Sequence, residues 1–288
     1  MPKKPAATVS SGHGQKSTAT ASKKPANFAA LSICGTDENG TYYASHEELM
    51  VTQDANRDEW YAANEEWWVG GYGGSTDSAA MIGDEGGEED AEEGLRWLDE
   101  LLRKYPKIQK RRAVDAGAGV GRITRLVLTK RFDSTQLIEA DSGWSKRSRV
   151  YLGRKRAAKC TFTCSRLEEL PDLPPDSADL VWIQWTLQYL TDRDAIKCLR
   201  ALAAGLSEHG VIVVKENRPY GAQRSDRFFM EVPEGEQGRF DITRPDYHHR
   251  LLFRSAGLEV LESVEGEETH TYACRRRTLE EGGGSDPV

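Results

Sequence analysis

The chain has 288 residues, of which 38% are hydrophobic and 30% charged, and its formal net charge is -7 at pH 7. This length suits one large α/β domain, and the acidic charge argues against nucleic-acid binding and favours a cationic partner. No apolar run approaches the roughly 20 residues that cross a bilayer, and we expect no membrane association. The five cysteines show no metal-ligand spacing, so we expect a metal-free protein with reduced thiols, located in the cytoplasm and nucleus.

The two ends of the chain differ in composition from its centre. Residues 1–45 are rich in Ser, Thr, Ala, Lys, Gly and Pro and are predicted to form a disordered tail. Residues 278–288 are predicted to form a second flexible tail, which leaves residues 46–277 as the folded domain. Within that domain the acidic stretch at 83–93 is interpreted as a solvated loop rather than as a surface that attracts basic chains.

Strand and helix patterns alternate along residues 95–274. In chain order they predict a helix at 95–102, a strand at 112–115, a helix at 123–128, strands at 136–141 and 179–184, a helix at 194–206, a strand at 211–215, a helix at 247–256, and strands at 258–262 and 269–274. Such alternation is typical of a mainly parallel sheet covered by helices.

A glycine-rich segment joins the first of these strands to the helix that follows. Gly117, Gly119 and Gly121 let the backbone pass close to a ligand, and the next helix offers free N–H groups at its start. The dinucleotide fingerprint requires Gly or Ala at position 122, where this chain has Arg122, so a nicotinamide cofactor is disfavoured.

Acidic and polar residues stand at the ends of the next predicted strands. Asp141 follows the glycines by about twenty residues, where a carboxylate accepts the hydroxyls of a cofactor ribose. Glu139 is an alternative for this role, and Asp141 is alternatively only the cap of the next helix. Gln184, Trp185 and Asn217 follow the later strands, and we expect them to face the same crevice.

Several motifs together resemble one family, the α-N-terminal protein methyltransferases that act on proteins beginning X-Pro-Lys after removal of Met. The motifs are Asp115-Ala-Gly-Ala-Gly-Val-Gly-Arg-Ile-Thr124, Trp182-Ile-Gln-Trp185, Lys215-Glu-Asn217, Val69-Gly-Gly-Tyr-Gly73 and Ser255-Ala-Gly-Leu258. The resemblance covers roughly residues 58–277. Its first motif occurs in many methyltransferases, whereas the second and third are more specific.

The resemblance implies the class I methyltransferase fold, which is an α/β, Rossmann-like, seven-stranded and mostly parallel sheet with helices on both faces. It also implies an N-terminal helical extension, placed at 46–94 as a lid, and S-adenosyl-L-methionine as the cofactor. The implied cofactor residues are Gly117, Gly119, Arg122 and Gln184 near the methionine part, Asp141 at the ribose, and Leu167 and Glu168 near the adenine.

On the substrate side the resemblance implies that Trp185 and Asn217 hold the first two residues of the protein substrate, with Trp67 or Trp68 at the entry. Two departures from the family pattern concern catalysis. The family has His, a candidate proton acceptor, where this chain has Tyr189, and a phenol with an ordinary pKa near 10 is a poorer base. The family's two lysine-binding aspartates have no clear match. The candidates are Asp226, Glu231, Glu234, Glu236 and Asp241, of which Asp241 is favoured.

These observations predict a monomeric enzyme that methylates the free α-amino group of protein tails beginning X-Pro-Lys. Two alternatives stay open. One is a methyltransferase that uses the same cofactor site for a small molecule. The other is a non-catalytic protein that binds the cofactor, or nothing, and serves as a scaffold; the departures at Tyr189 and after Asn217 keep this alternative open.

Overall fold

The computed structural model describes residues 33–71, 87–221, 223, 226–234 and 238–277. The strands are β1 (Gly35–Asp37), β2 (Tyr42–Tyr43), β3 (Arg112–Ala116), β4 (Ser134–Glu139), β5 (Cys160–Cys164), β6 (Ala178–Gln184), β7 (Leu206–Asn217), β8 (Phe228–Glu231), β9 (Asp241–Thr243), β10 (Leu258–Glu265) and β11 (Thr269–Arg276). The α-helices are α1 (His46–Ala55), α2 (Arg57–Glu66), α3 (Gly87–Lys104), α4 (Arg122–Leu126), α5 (Ser142–Ala157), α6 (Asp192–Ala204) and α7 (Asp246–Ser255). Within these ranges no helix has the length and apolarity needed to span a bilayer.

The main sheet has seven strands in the order β10-β11-β7-β6-β3-β4-β5. The five strands from β7 to β5 are parallel to one another, whereas β10 and β11 are antiparallel. The expected seven-stranded, mostly parallel α/β fold is therefore confirmed. Because parallel strands end at the same edge of a sheet, the segments after β3, β4, β6 and β7 lie together there.

The central strand β6 shows how both faces of the sheet are buried. Val181 and Ile183 pack with α6 and α7 on one face, while Leu180 and Trp182 pack with α3 on the other. Trp182 is fully buried, and its indole lies edge-on to Trp97 with 6.4 Å between ring centroids. A strand buried on both faces has an almost continuous apolar sequence, which is why it was recognisable.

The predicted elements all exist, but some boundaries differ. Helix α6 ends at Gly205, and β7 begins at Leu206, earlier than the predicted start at 211. Gly210 lies inside β7, where an added Cβ would stand 2.9 Å from the carbonyl oxygen of Ala178. Helix α5 and strand β5 were not predicted, because α5 is polar on most of its surface and β5 is only partly buried.

Residues 33–45 correct the predicted tail, whose boundary at 45 is placed too late. Strands β1 and β2 join β8 and β9 in a second sheet of order β2-β1-β8-β9. Ile33 and Tyr43 are buried there with Phe228 and Met230. Gly35 lies so close to the Phe228 backbone that an added Cβ would stand 2.3 Å from its carbonyl oxygen. Residues 1–32 and 278–288, the rest of the predicted tails, lie outside the described residues.

Helix α1 is joined to the main domain through a buried carboxylate, Asp192 at the start of α6. His46 of α1 and His248 of α7 both contact its Oδ2, at 2.7 and 2.5 Å, and Arg244 donates to its Oδ1 at 2.7 Å. The three groups His46, Asp192 and His248 have the composition of a metal site, but the guanidinium already balances the carboxylate. We interpret the cluster as a structural ion pair that joins α1, α6 and α7.

A second buried carboxylate fixes α3 to the ends of the central strands. Asp90, in the first turn of α3, accepts hydrogen bonds from Arg122 at 2.7 Å, Gln184 at 2.9 Å and Lys215 at 2.6 Å. Burial alone raises the pKa of Asp90, but the two cations lower it below its ordinary value. The acidic stretch that begins at residue 83 is thus not simply a solvated loop, because residues 87–93 are helical and the Asp90 side chain is only 13% exposed.

A truncation tests the corrected N-terminal boundary. A chain that starts at residue 46 is expected to unfold at a lower urea concentration than one that starts at residue 33, because it loses β1, β2, Ile33 and Tyr43. Loss of those two side chains alone lowers the free energy of unfolding by about 3 kcal/mol or more. Equal urea midpoints for the two chains would show that residues 33–45 add nothing to the fold.

A matched pair of substitutions on α3 tests the role of Asp90. Asp90→Asn leaves Arg122 without its anion and Lys215 with only the exposed Glu93, so we expect the free energy of unfolding to fall by about 3–5 kcal/mol. Asp99→Asn is the control, since the pair of Asp99 with Arg131 is largely exposed and is worth roughly 0–1 kcal/mol. Similar urea midpoints for both variants would contradict the structural role of Asp90.

Candidate active site

The ends of four parallel strands lie at one edge of the main sheet. They bring together the glycine loop after β3, Glu139 at the end of β4, Gln184 and Trp185 after β6, and Glu216 and Asn217 at the end of β7. Arg122 begins α4 directly after the glycine loop. Polar groups from separate parts of the chain therefore meet at the switch in strand order, where open α/β sheets bind ligands.

The glycine loop has the backbone that its sequence predicts. Gly117, Gly119 and Gly121 have φ values of 75°, 52° and 83°, a backbone region that residues other than glycine rarely adopt. The loop is tied to β4, because the N–H groups of Gly117 and Ala118 both donate to the carbonyl oxygen of Ile138. At Gly117 an added Cβ would also stand 2.4 Å from the Thr186 side chain, so the position admits only glycine.

The two acidic candidates after β4 have different surroundings. Asp141 caps α5, and its Oδ1 accepts from the N–H of Trp144 at 2.7 Å. Glu139 points to the glycine loop instead, and its Oε2 accepts from the N–H of Gly119 at 2.8 Å. Burial raises the pKa of Glu139 above its ordinary value. The helix-cap alternative thus describes Asp141, while Glu139 has the better position for a cofactor ribose.

Arg122 and Gln184 lie at the crevice edge in contact with Asp90. Among the described residues Arg122 donates to Asp90 and to the Gly87 carbonyl oxygen, in both cases from Nη1. Gln184 donates to Asp90 and accepts from Trp182. Asp90 was missed in the sequence because it lies in an acidic run. The spacing was a signal, because residues four apart in a helix lie on the same face, and Asp90 therefore lies on the face of the buried Gly94.

Trp185 has an unusual backbone for its type. Its φ of 51° lies in the left-handed region, which costs a non-glycine residue roughly 1–3 kcal/mol. Its N–H donates to the Lys215 carbonyl oxygen, and the Arg122 guanidinium lies 5.3 Å from its ring centre. The indole Nε1 is buried and has no hydrogen-bond partner among the described residues. A strained residue with an unused donor is characteristic of a binding position.

A chain of hydrogen bonds extends from Asn217 across the substrate side of the crevice. Asn217 donates to Gln188 Oε1 at 3.2 Å, and Gln188 donates to Asp241 Oδ2 at 3.1 Å. Burial raises the pKa of Asp241 to about 6, although Arg239 opposes this shift. The structure therefore brings Asn217 and Asp241 together, as expected, but Arg239, which the sequence did not single out, pairs with Asp241 at 3.1 Å.

Glu216 lies in the Lys215-Glu-Asn217 motif, but no role was predicted for it from the sequence. Its Oε1 accepts from the N–H groups of Thr186 and Leu187 at 2.9 and 2.8 Å, which holds the segment after Trp185 in place. Its Oε2 is buried without a hydrogen-bond partner in the described part of the chain. Burial raises the pKa of Glu216 to about 7.

Tyr189, Trp67 and Trp68 form an aromatic wall beside Asp241. The rings of Trp68 and Tyr189 meet edge-on at 5.4 Å, and the Arg239 guanidinium lies 5.1 Å from the centre of the Trp67 ring and 5.9 Å from that of Tyr189. Burial is the largest influence on the pKa of the Tyr189 hydroxyl, and it raises this pKa further above 10. The phenol is therefore a worse proton acceptor than the sequence alone indicated.

The remaining predicted residues lie at the edges of the site. Leu167 and Glu168 are buried in a 3-10 turn after β5, and the Glu168 carbonyl oxygen accepts from Lys197 at 2.9 Å. Among the candidates for binding a lysine, Glu231 lies beside Arg239 at 3.0 Å. Glu234 is exposed, and Glu236 lies outside the described residues.

Comparison with known proteins identifies the family. A family model described as AdoMet dependent proline di-methyltransferase matches residues 56–271. A human protein named N-terminal Xaa-Pro-Lys N-methyltransferase 1 is 32% identical over 194 residues, which is 65% of this chain and 82% of the human protein. An Arabidopsis thaliana protein named Alpha N-terminal protein methyltransferase 1 is 27% identical over 255 residues, covering 82% of this chain and 86% of the plant protein.

A solved structure from Leishmania major, described as a SAM-dependent methyltransferase, matches with a TM-score of 0.71 and 28% sequence identity. The match covers 89% of this chain and 100% of the Leishmania chain. The fold, the glycine loop and the strand-end residues agree with these similarities. The chain belongs to the AdoMet dependent proline di-methyltransferase family, whose methyl donor is S-adenosylmethionine.

Proposed function

We propose that this enzyme transfers methyl groups from S-adenosylmethionine to the free α-amino group of proteins that begin X-Pro-Lys. The proposal rests on one arrangement. The strained Trp185 and the amide of Asn217 lie next to the cofactor-side residues Arg122 and Gln184, and Asn217 continues into the Gln188–Asp241 hydrogen-bond chain. The names of the human and plant relatives support the same activity.

The cofactor side suits the charges and shape of S-adenosylmethionine. Glu139 offers a carboxylate to the ribose hydroxyls beside the tight backbone of Gly119. Arg122 has further N–H donors for the methionine carboxylate. Leu167 and Glu168, in the turn after β5, remain the proposed neighbours of the adenine. When bound, the cofactor supplies an electrophilic methyl group on a sulfonium.

The reaction needs a neutral amine more than a strong base. An ordinary α-amino group has a pKa near 7.7–8.0, so a useful fraction is neutral at pH 7, and positioning accounts for most of the catalysis. Tyr189 does not take the proton, since its pKa is raised by burial. Asp241, with a pKa near 6, is largely ionised at neutral pH and pairs with Arg239. The amine proton passes to solvent.

The substrate side suits a short, flat N-terminal segment. The Trp185 ring presents an apolar face to a proline ring, and its unused indole N–H is a donor for a peptide carbonyl. Asn217 offers both a donor and an acceptor to the substrate backbone. Trp67 and Trp68 border the same space from the N-terminal extension. These groups hold the first residues while the amine faces the methyl donor.

A peptide assay tests the proposed function. X-Pro-Lys peptides with a free N-terminus are expected to gain mass in multiples of one methyl group, while N-acetylated copies gain none. Trp185→Ala and Asn217→Ala are expected to lower kcat/KM roughly 10- to 100-fold with cofactor affinity retained, because they misplace the substrate. Arg193→Gln, at an exposed ion pair, is the control and keeps the wild-type rate. Cofactor binding without methylation of any N-terminal peptide would refute the proposal.

A pair of charge-neutral substitutions decides between the acidic candidates after β4. Glu139→Gln is expected to weaken S-adenosylmethionine binding at least about tenfold, or ~1.4 kcal/mol, because it replaces the carboxylate beside the glycine loop. Asp141→Asn keeps the helix cap and is expected to bind the cofactor normally. Calorimetric titration of both variants measures the affinities, and the reverse result would restore Asp141 as the ribose ligand.

A further inference from the structure

Two carboxylates on the substrate side share one internal cation. Glu231 of β8 and Asp241 of β9 stand directly opposite each other in the antiparallel pair. Arg239 Nη2 lies 3.0 Å from Glu231 Oε2 and 3.1 Å from Asp241 Oδ2. Like charges in directly opposed positions are unfavourable, and the guanidinium removes this repulsion. Arg239 therefore belongs to the subsite formed by these two acids.

The same subsite has aromatic walls. The Arg239 guanidinium is 5.1 Å from the ring centre of Trp67 and 5.9 Å from that of Tyr189. Two carboxylates and two aromatic faces form a site for a cation. Through Asp241 and Gln188 the subsite is linked to Asn217, so it lies along the path of the substrate beyond its first residues.

The subsite already holds a cation, because the Arg239 guanidinium occupies it. A substrate lysine that enters beside Arg239 would place a second positive charge close to the first, and the two charges would repel each other. Both acids already pair with Arg239, so neither is free to pair with that lysine. A neutral side chain meets no such repulsion. It also finds a donor, because Arg239 Nε is buried and has no hydrogen-bond partner among the described residues.

We propose that Arg239 takes the place of the substrate lysine, so that this enzyme methylates protein N-termini with a neutral polar third residue about as well as those with lysine. This inference rests on the proposed function and widens its substrate class beyond lysine at the third position. Arg239 is then a residue that sets specificity, and Glu231 and Asp241 act by holding it.

The test compares two peptides that differ only in the third residue, X-Pro-Lys and X-Pro-Gln. For the wild-type enzyme the ratio of kcat/KM values, lysine over glutamine, is expected to stay within about threefold of one, the scale of a weak ion pair. Arg239→Gln exposes both acids and is expected to raise the ratio at least about tenfold, the scale of a charge-assisted hydrogen bond. Arg239→Lys keeps the cation and is expected to keep the wild-type ratio.

Glu231 provides a second, independent arm. In the double variant Arg239→Gln with Glu231→Gln, the gained preference for lysine is expected to fall, because one of the two acids has been removed. In the wild-type background Glu231→Gln is expected to change the ratio less than about twofold, since Glu231 already pairs with Arg239. This single variant tests the inference even where Arg239→Gln does not fold.

The outcomes separate the two proposals. A wild-type preference for lysine above about tenfold that Glu231→Gln removes would overturn the inference while leaving the proposed function intact. An unchanged ratio in a folded Arg239→Gln enzyme would also overturn it. Failure of the wild-type enzyme to methylate any of these peptides, with cofactor still bound, would refute the proposed function and the inference together.

Discussion

The candidate active site depends on the buried carboxylate of Asp90. Arg122, Gln184 and Lys215 reach it from the loop after β3, from β6 and from β7. A buried carboxylate with these partners requires all of them, because each unpaired charge inside the protein costs several kcal/mol. The ends of three neighbouring strands are thus held in one arrangement before any ligand arrives. Arg122 and Gln184 thus take their positions from α3, a helix that lies outside the sequence motifs of the sheet.

The substrate side is built in the same way, with charges balanced inside the chain. Arg239 pairs with Asp241 and Glu231, as Asp90 pairs with Arg122 and Lys215. Between the two clusters stands Trp185, with a left-handed backbone and an unused indole N–H. A site with balanced charges gains little from ligand charge alone. Recognition there depends on shape and on the few unsatisfied polar atoms.

The sequence revealed those parts that depend on local pattern. Glycine spacing predicted the loop, and the apolar run of β6 placed Gln184 and Trp185 at the crevice. Other features depend on contacts between distant segments. Strands of two to four residues, such as β2 and β8, carry too little pattern to predict, and β1 pairs with β8 only in the folded chain. Glu139 and Asp141 are two residues apart, and the choice between them depended on where β4 ends and α5 begins.

Tyr189 departs from the family pattern in the sequence, and in the structure its neighbour is Arg239, which the sequence did not single out. A histidine at position 189 would become cationic near neutral pH and would then stand beside the Arg239 guanidinium, which lies 5.9 Å from the Tyr189 ring. Tyrosine avoids this repulsion, because burial keeps its hydroxyl protonated and the ring offers a face to the cation. The departure from the family pattern at Tyr189 is therefore physically consistent with an arginine in the acidic subsite. Under the proposed function, both residues change the charge available to the substrate's third residue, while Trp185 and Asn217, proposed to face its first two, are retained.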